Sequence, residues 1–374
     1  MKKLVIIINS AKFFISHRLI LGERAANLGY EVHLICPIPD KDSYKILHNK
    51  PFKIHYLGLS RSGKNIITEL KSFLALLYLL ITIKPDLVHL ITIKPVLYGG
   101  FIARVLRIPA LIAISGLGYM YSKNSSSYLR GFSNFIYRFV LSNKKSKVIL
   151  QNNSDRLFLR EIKATKENQD YLLPGSGVDL GIFTPGPHPK NHVTFLLPSR
   201  MLWEKGVGDF VEAAKIIKSH FIEARFILAG PFDPLNPSGV PLDYLEELNN
   251  NGVVEWLGDY KEMPALYQES SVVVLPTYYN EGLPKVLLEA SASGRAIITT
   301  NMPGCEDVVD DGINGLFVRK QDPVNLAELM KYFLINRDAV ISMGRLAREK
   351  AVNYYDVEII ANKHMEIYEE LSEL

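Results

Sequence analysis

Short apolar runs alternate with helix-length segments along almost the whole of this 374-residue chain. Strands that read as continuous Val/Ile/Leu runs are buried on both faces, and the helical segments between them supply the crossovers that parallel sheets need. In the first half the strand candidates are Leu4–Ile8, Val32–Ile35, Ile54–Leu57, Leu87–Ile91, Ala110–Ile114 and Val148–Gln151. Helices are expected over Arg18–Leu28, Ile66–Ile83, Leu97–Leu106 and Leu129–Leu141. The stretch YLLPGSGVDLGIFTPGPHPKNH, from Tyr171 to His192, is rich in proline and glycine and reads as a linker. Beyond it the alternation restarts, with strands expected at Val193–Arg200, Arg225–Ala229, Val253–Leu257, Val272–Leu275 and Ala296–Thr300. The expected organisation is two doubly wound α/β domains, residues 1–178 and 190–355, with an amphipathic last helix, 356–374, packing back onto the first.

The length suffices for two cores, and 22% charged with 48% hydrophobic residues is ordinary for a soluble globular protein. Cys36 and Cys305 are the only cysteines, which excludes a disulfide framework or a zinc cluster and suits a reducing cytoplasm. The start, MKKLVIIINS, imitates a signal peptide, but its apolar run from Leu4 to Ile8 is too short and predicts a buried first strand. Phe73–Ile83 is too short for a membrane span and predicts a buried helix. Charge is divided unevenly. Residues 1–180 hold 26 Lys and Arg against 11 Asp and Glu, and the remainder holds 17 against 28. No carboxylate lies between Asp86 and Asp155, while nine cations do. Such a half is drawn to an anionic surface, bilayer or nucleic acid.

Chemistry concentrates in PTYYNEGLPKVLLEASASGRAIITT, Pro276 to Thr300. A strand ends in a polar turn and a helix opens at Pro284, whose fixed φ and missing N–H suit a first helical turn. Amides at Gly282, Leu283 and their neighbours then point out of a helix start, which attracts phosphates. Two carboxylates flank that start, Glu281 in the turn and Glu289 in the helix. A diphosphate with hydroxyl-rich groups at both ends suits the layout, which describes a nucleotide-sugar. Earlier, RMLWEKG places Arg200 and Lys205 on a strand-to-helix loop, two cations able to clamp a diphosphate and neutralise it as it departs.

With RMLWEKG, EGLPKVLLE and the later GCEDVVDDGINGLFV, the chain resembles the retaining glycosyltransferases of family 4, which have the GT-B fold. More narrowly, FFISHRLIL, ISGLGY and GPFDPLNP are similar to bacterial enzymes that extend polyprenyl-diphosphate-linked saccharides. The resemblance implies two Rossmann-like domains facing each other across a cleft. It assigns Arg200 and Lys205 to the donor diphosphate and the developing leaving-group charge, Glu281 to the donor sugar and Glu289 to the ribose hydroxyls. The amides of Gly282, Leu283 and the neighbours of Pro284, Lys285 among them, would touch phosphate or sugar. Retention would follow front-face attack with the departing phosphate oxygen as base. No cofactor or metal is implied, because the nucleotide-sugar, a UDP-linked one on this resemblance, is itself a substrate. The partners implied are that donor, a polyprenyl-diphosphate saccharide and an anionic membrane surface, with no nucleic acid, at the inner face of the cell membrane.

On the acceptor side the expected loop NSAKFFISHR carries Lys12, His17 and Arg18, which either form an anion-binding cluster or flank the next helix. ISGLGYMYSKNSSSYLRG, with Gly116 and Tyr119, is either a turn or a ligand-contacting loop. The basic, aromatic helix after it either lies in a membrane interface or packs in the domain. The chain departs from the family pattern in two places: Ser10, Ala11 and Lys12 stand where many members have a glycine pair, and ISGLGY lacks a histidine that many members have. Asp40-Lys41-Asp42 matches a metal-binding pattern of another fold but falls in a charged loop, and no G-x-G-x-x-G follows any strand. Lys285 and Glu289, four apart, could also make a plain surface ion pair. A nucleotide-sugar epimerase or hydrolase of the same fold, and a non-catalytic nucleotide-sugar binder, are the competing functions.

Overall fold

The computed structural model describes residues 1–59, 65–117, 127–189 and 192–373. It divides into two compact units, Met1–Ser176 with Glu358–Leu374, and Gly177–Val357.

The first unit is a seven-stranded parallel sheet of order β3-β2-β1-β4-β5-β6-β7. In chain order it comprises β1 (Lys3–Ile7), α1 (Ala11–His17), α2 (Leu19–Asn27), β2 (Glu31–Cys36), α3 (Lys41–His48), β3 (Phe52–Tyr56) and α4 (Ile66–Ile83). There follow β4 (Leu87–Ile91), α5 (Ile93–Leu106), β5 (Ala110–Ile114), α6 (Ser127–Leu141), β6 (Ser146–Leu150), α7 (Asn153–Glu161) and β7 (Asp170–Leu172). Alternate strand residues feed two cores, as the two-residue period of a strand requires. Val5, Ile7, Val88, Leu90 and Ile112 pack under α4, α5 and α6. Leu4, Ile6, Leu34, Leu87 and Leu111 pack on the other face.

The second unit has a six-stranded sheet of order β10-β9-β8-β11-β12-β13. Its elements are β8 (Thr194–Pro198), α8 (Val207–Lys218), β9 (Arg225–Ala229), α9 (Leu242–Asn251), β10 (Glu255–Trp256), α10 (Met263–Gln268), β11 (Val272–Leu275), α11 (Lys285–Ala292) and β12 (Ala296–Thr300). β13 (Gly315–Val318), α12 (Pro323–Ile335) and α13 (Arg337–Lys350) complete it. The last helix, α14 (Val357–Ser372), buries Ala361, Met365, Ile367, Tyr368 and Leu371 in the core of the first unit.

Three expectations are refined or corrected. The proline-rich stretch from Tyr171 holds the boundary between the units, at Ser176 and Gly177, as a linker should, but it is tied down along its length: it begins inside β7, and further on Val178 pairs with Asp356 while Gln268 donates to the Thr184 carbonyl at 3.1 Å. The segment NSAKFFISHR is not a loop, because Ser10 caps α1 by accepting from the Phe13 amide at 3.2 Å. The third concerns α4, which is not a buried helix. Only Leu76, Leu80 and Ile83 are buried, and a broad apolar stripe faces outward.

Candidate active site

Within the second unit, β8 and β11 are neighbours, so the loops leaving their carboxyl ends lie side by side, where ligands of such sheets bind. Backbone locks these loops together. Thr277 Oγ1 and the Tyr278 amide both donate to the Glu204 carbonyl at 3.0 Å. Gly206, at φ 80°, closes on Pro276 so tightly that a Cβ would stand 2.4 Å from its carbonyl oxygen. A third loop is pinned in the same way: a Cβ on Gly304, at φ 84°, would stand 2.4 Å from the Gly282 carbonyl oxygen.

That packing brings Lys205 and Glu281 into an ion pair, with side chains only 15% and 14% exposed. The Lys205 ammonium also sits 5.6 Å from the centre of the Tyr279 ring. Arg200, at the exit of β8, pairs with Asp233 at 2.8 Å and is half exposed. Beside them Cys305 is buried, and desolvation pushes its thiol up to about 12, so it is no nucleophile at neutral pH.

Pro284 is the residue before α11 rather than its first residue, and no side chain caps the helix. Five residues on, roughly 7.5 Å along the axis, stands Glu289. Its side chain is 12% exposed, so Lys285, at 3.8 Å, does not make a plain surface pair with it. Tyr267 of α10, fully buried, donates its hydroxyl to Glu289 at 3.0 Å and approaches the Val286 carbonyl at 3.2 Å. Burial raises the Glu289 pKa, opposed by Lys285 and by the Tyr267 hydrogen bond. Gly282, Leu283 and Pro284 are buried in the turn between the two carboxylates. The sequence offered no signal for Tyr267, since the contact joins residues 22 apart.

In the first unit the expected cluster of Lys12, His17 and Arg18 does not form. At 100° per residue Lys12 and His17 of α1 point about 140° apart, and Arg18 is the residue that follows the helix. Lys12 is exposed on the first turn, and His17 stacks on Phe13 with ring centres 4.1 Å apart. Arg18 is 2% exposed and faces inward, 3.5 Å from His364 Nε2 and from the Gly175 carbonyl, so it reaches no surface ligand. Gly116, at φ 126°, follows β5, and Tyr119 lies outside the described residues. Two residues unmarked by sequence reasoning sit at strand ends there. Asn9 buries Oδ1 without a hydrogen-bond partner, and Thr92 holds φ 74°, strained for a β-branched residue. Asp40 is the cap of α3, accepting from the amides of Asp42 and Ser43, and among the described residues no three His, Cys, Asp or Glu gather to hold a metal.

Two parallel-sheet units, with cations and carboxylates converging at the strand ends of the second, define a GT-B glycosyltransferase. The chain belongs to the family-4-like, group 1 glycosyltransferases: the family described as "Glycosyl transferase 4-like" matches residues 3–153 and "Glycosyl transferases group 1" matches residues 192–336. A Campylobacter jejuni relative, N,N'-diacetylbacillosaminyl-diphospho-undecaprenol alpha-1,3-N-acetylgalactosaminyltransferase, is 28% identical over 91% of each chain. The Escherichia coli UDP-Gal:alpha-D-GlcNAc-diphosphoundecaprenol alpha-1,3-galactosyltransferase is 24% identical over 92% of this chain and 90% of its own. In fold, a Rickettsia africae glycosyltransferase superposes with a TM-score of 0.78 at 18% identity, covering 99% of this chain and 98% of its own. Anabaena HepE in complex with UDP superposes with a TM-score of 0.75 at 16% identity, over the full length of both chains.

Proposed function

We propose that the protein is a retaining glycosyltransferase that moves a sugar, an N-acetylhexosamine among the candidates, from a UDP-linked donor to a polyprenyl-diphosphate-linked saccharide. The observation that carries this is the Lys205–Glu281 pair beside Arg200 and the uncapped start of α11. Cations and helix amides suit the diphosphate, and carboxylates on either side suit hydroxyl groups. Two relatives matched over nine tenths of their length are named for transfer onto diphosphoundecaprenol-linked sugars, which supports the acceptor class. A neighbour of the same fold holds UDP, which agrees with the donor class.

On this reading Lys205 and Arg200 neutralise the charge that grows on the leaving diphosphate as the glycosidic bond breaks. The acceptor hydroxyl attacks from the same face and gives its proton to the departing phosphate oxygen, so the anomeric configuration is kept. Glu281, held by Lys205, orients the donor sugar and forms no bond to it. Glu289 accepts from the ribose hydroxyls. The reaction proceeds without a metal, at the cytoplasmic face of the membrane.

The test is transfer from UDP-linked sugars to short-chain polyprenyl-diphosphate saccharides in the presence of a chelator, with products read by mass and anomer by NMR. Lys205→Met and Glu281→Gln should each lower kcat about 10²- to 10³-fold. Donor conversion without acceptor would identify an epimerase or hydrolase instead, and undiminished transfer by both variants would overturn the site.

A further inference from the structure

At the amino ends of the second unit's strands, away from the candidate donor loops, three polar residues stand in one row. The register sets Phe195 beside Val272 and Val272 beside Ala296, so the residues one step earlier, Thr194, Ser271 and Arg295, are neighbours across β8, β11 and β12. Each lies two before a member of one core, Leu196, Val273 and Ile297, and therefore on the same face of the sheet. Against this row opens a cavity of about 240 Å³. It is lined by Ser271, by His188 and Pro189 of the segment leading into β8, and by Arg337, Val340 and Ile341 of the first turns of α13. From Ser271 to the loop at Pro276 is five residues of extended chain, roughly 16 Å, so the cavity is no part of the donor site.

Two guanidiniums serve this place. Arg295 is fully buried and held by carbonyls, its Nε donating to Ser293 at 3.0 Å and its Nη1 to Ser270 at 3.1 Å. Arg337 Nη1 donates to the carbonyls of Pro189 and His192 at 3.1 and 3.2 Å. Carbonyls solvate these charges without neutralising them. Among the described residues no carboxylate pairs with either guanidinium or lines the cavity, whereas buried charges are ordinarily paired. Arg295 Nη1 also reaches His188 Nδ1 at 3.1 Å. A guanidinium only donates, so Nδ1 accepts and Nε2 carries the ring hydrogen. Burial, aided by Arg295 and Arg337, lowers His188 to about 4, which makes the ring a neutral donor at pH 7. Ser271 Oγ accepts from the Thr194 amide at 3.2 Å and keeps its own hydrogen to donate. Beside these groups Thr194 Oγ1 and Ser293 Oγ are buried without a partner, and such atoms mark places where water or an ion is bound.

We propose that this cavity binds a phosphate monoester of a small sugar or polyol, its phosphate held by Arg337, His188 and Ser271 and its carbon skeleton laid on Pro189, Val340 and Ile341. A dianion answers two uncompensated cations, and guanidinium, imidazole and hydroxyl donors suit its oxygens. No side chain caps α13, so the amides of its first turn add to the same wall. At about 30 Å³ per water the space equals about eight waters, more than a bare phosphate fills. It is below the roughly 300 Å³ at which pockets for larger ligands begin, which excludes a whole nucleotide-sugar.

The site stands apart from the transfer reaction, and its test needs no turnover. Glucose 6-phosphate and inorganic phosphate are each titrated calorimetrically, at constant ionic strength, into full-length protein saturated with UDP, which keeps the donor loops from reporting. Glucose 6-phosphate should bind, and inorganic phosphate at least about tenfold more weakly, because only the ester uses the apolar wall. Arg337→Gln should weaken glucose 6-phosphate at least about tenfold. Since Arg337 also holds two carbonyls, Ile341→Trp serves as the second variant: from a position 52% exposed it fills the cavity, removes no hydrogen bond, and should abolish binding at an unchanged unfolding temperature. Hydrogen exchange should show protection by the ester at residues 186–189 and 337–341 and none added at 281–289. Absence of binding under UDP saturation would overturn the proposal, as would an affinity unchanged in both variants. Equal affinity for inorganic phosphate would overturn the ester and make a bare anion the guest.

Discussion

Replacing Tyr267 by Phe isolates one atom of the candidate donor site. The ring stays in the core beneath α11, and only the hydroxyl is lost, with its 3.0 Å bond to Glu289 and its 3.2 Å approach to the Val286 carbonyl. Glu289 is 12% exposed and its pKa is already raised by burial, so little water is available to replace the lost donor. A hydrogen bond to a charged group contributes about 1.5–3 kcal/mol. At 1.4 kcal/mol per tenfold, complete loss of the orientation it provides weakens donor binding roughly 10- to 100-fold. Because Glu289 is assigned to the ribose, far from the breaking bond, the loss falls on binding common to ground and transition states. Donor KM should rise by that factor while kcat changes less than about threefold. The assay is initial-rate transfer against donor concentration, with calorimetric titration of UDP as a check free of the acceptor. The Glu289 pKa also rises when a hydrogen bond to its ionised form is removed, so donor affinity should decline from a higher pH as the solution is acidified. An unchanged KM, in a variant whose unfolding temperature matches wild type, would refute the assignment. A fall in kcat at constant KM would move Glu289 from the ribose to the reacting end.

Two further outcomes follow from the packing. Burial holds His89 well below its ordinary value and His364 at about 3, with the neighbouring Arg18 charge acting in the same direction on both. Both histidines take up protons on unfolding below pH 6.5, so stability is complete above that pH and falls as pH drops towards the folded values. The two together should cost about 3 kcal/mol between pH 6.5 and 5, seen as a falling urea midpoint of the first unit, and a midpoint that does not move would refute their burial as neutral rings. Gly304→Ala should lose at least about tenfold in kcat/KM. A left-handed residue with a Cβ costs about 1–2 kcal/mol, and here the Cβ also drives the 281–282 turn away from Lys205. Full activity in that variant would show that the third loop does not support the site.

Much of the fold was legible because its signals are local. Leu87–Ile91, Ala110–Ile114, Arg225–Ala229, Val272–Leu275 and Ala296–Thr300 form as expected, each a run dominated by apolar or β-branched residues, with His89 in the first and Arg225 at the edge of the third as the exceptions. Ile66–Ile83 is a helix over the residues its composition indicates. Weaker segments were not legible. β7, three residues long, and β13, which begins at a glycine, acquire strand geometry only from the neighbours they pair with. α1 depends on the cap at Ser10, whose hydroxyl turns a polar stretch into a helix start.

In the candidate site, the motif residues were recognisable because their chemistry is carried by side-chain type at short spacing: Arg200 with Lys205, and Glu281 with Glu289. The alternation of apolar runs with helix-length segments likewise determined the parallel-sheet class, and composition the unequal charge of the halves. Only the tertiary structure decided that Lys205 and Glu281, 76 residues apart, are partners, since that depends on β8 and β11 being neighbours and on Gly206 closing against Pro276. It alone turned Arg18 inward, supplied Tyr267 to Glu289 and left the apolar stripe of α4 uncovered. Periodicity can show that a helix is apolar all round, but which face meets the sheet is set by the packing of the whole unit.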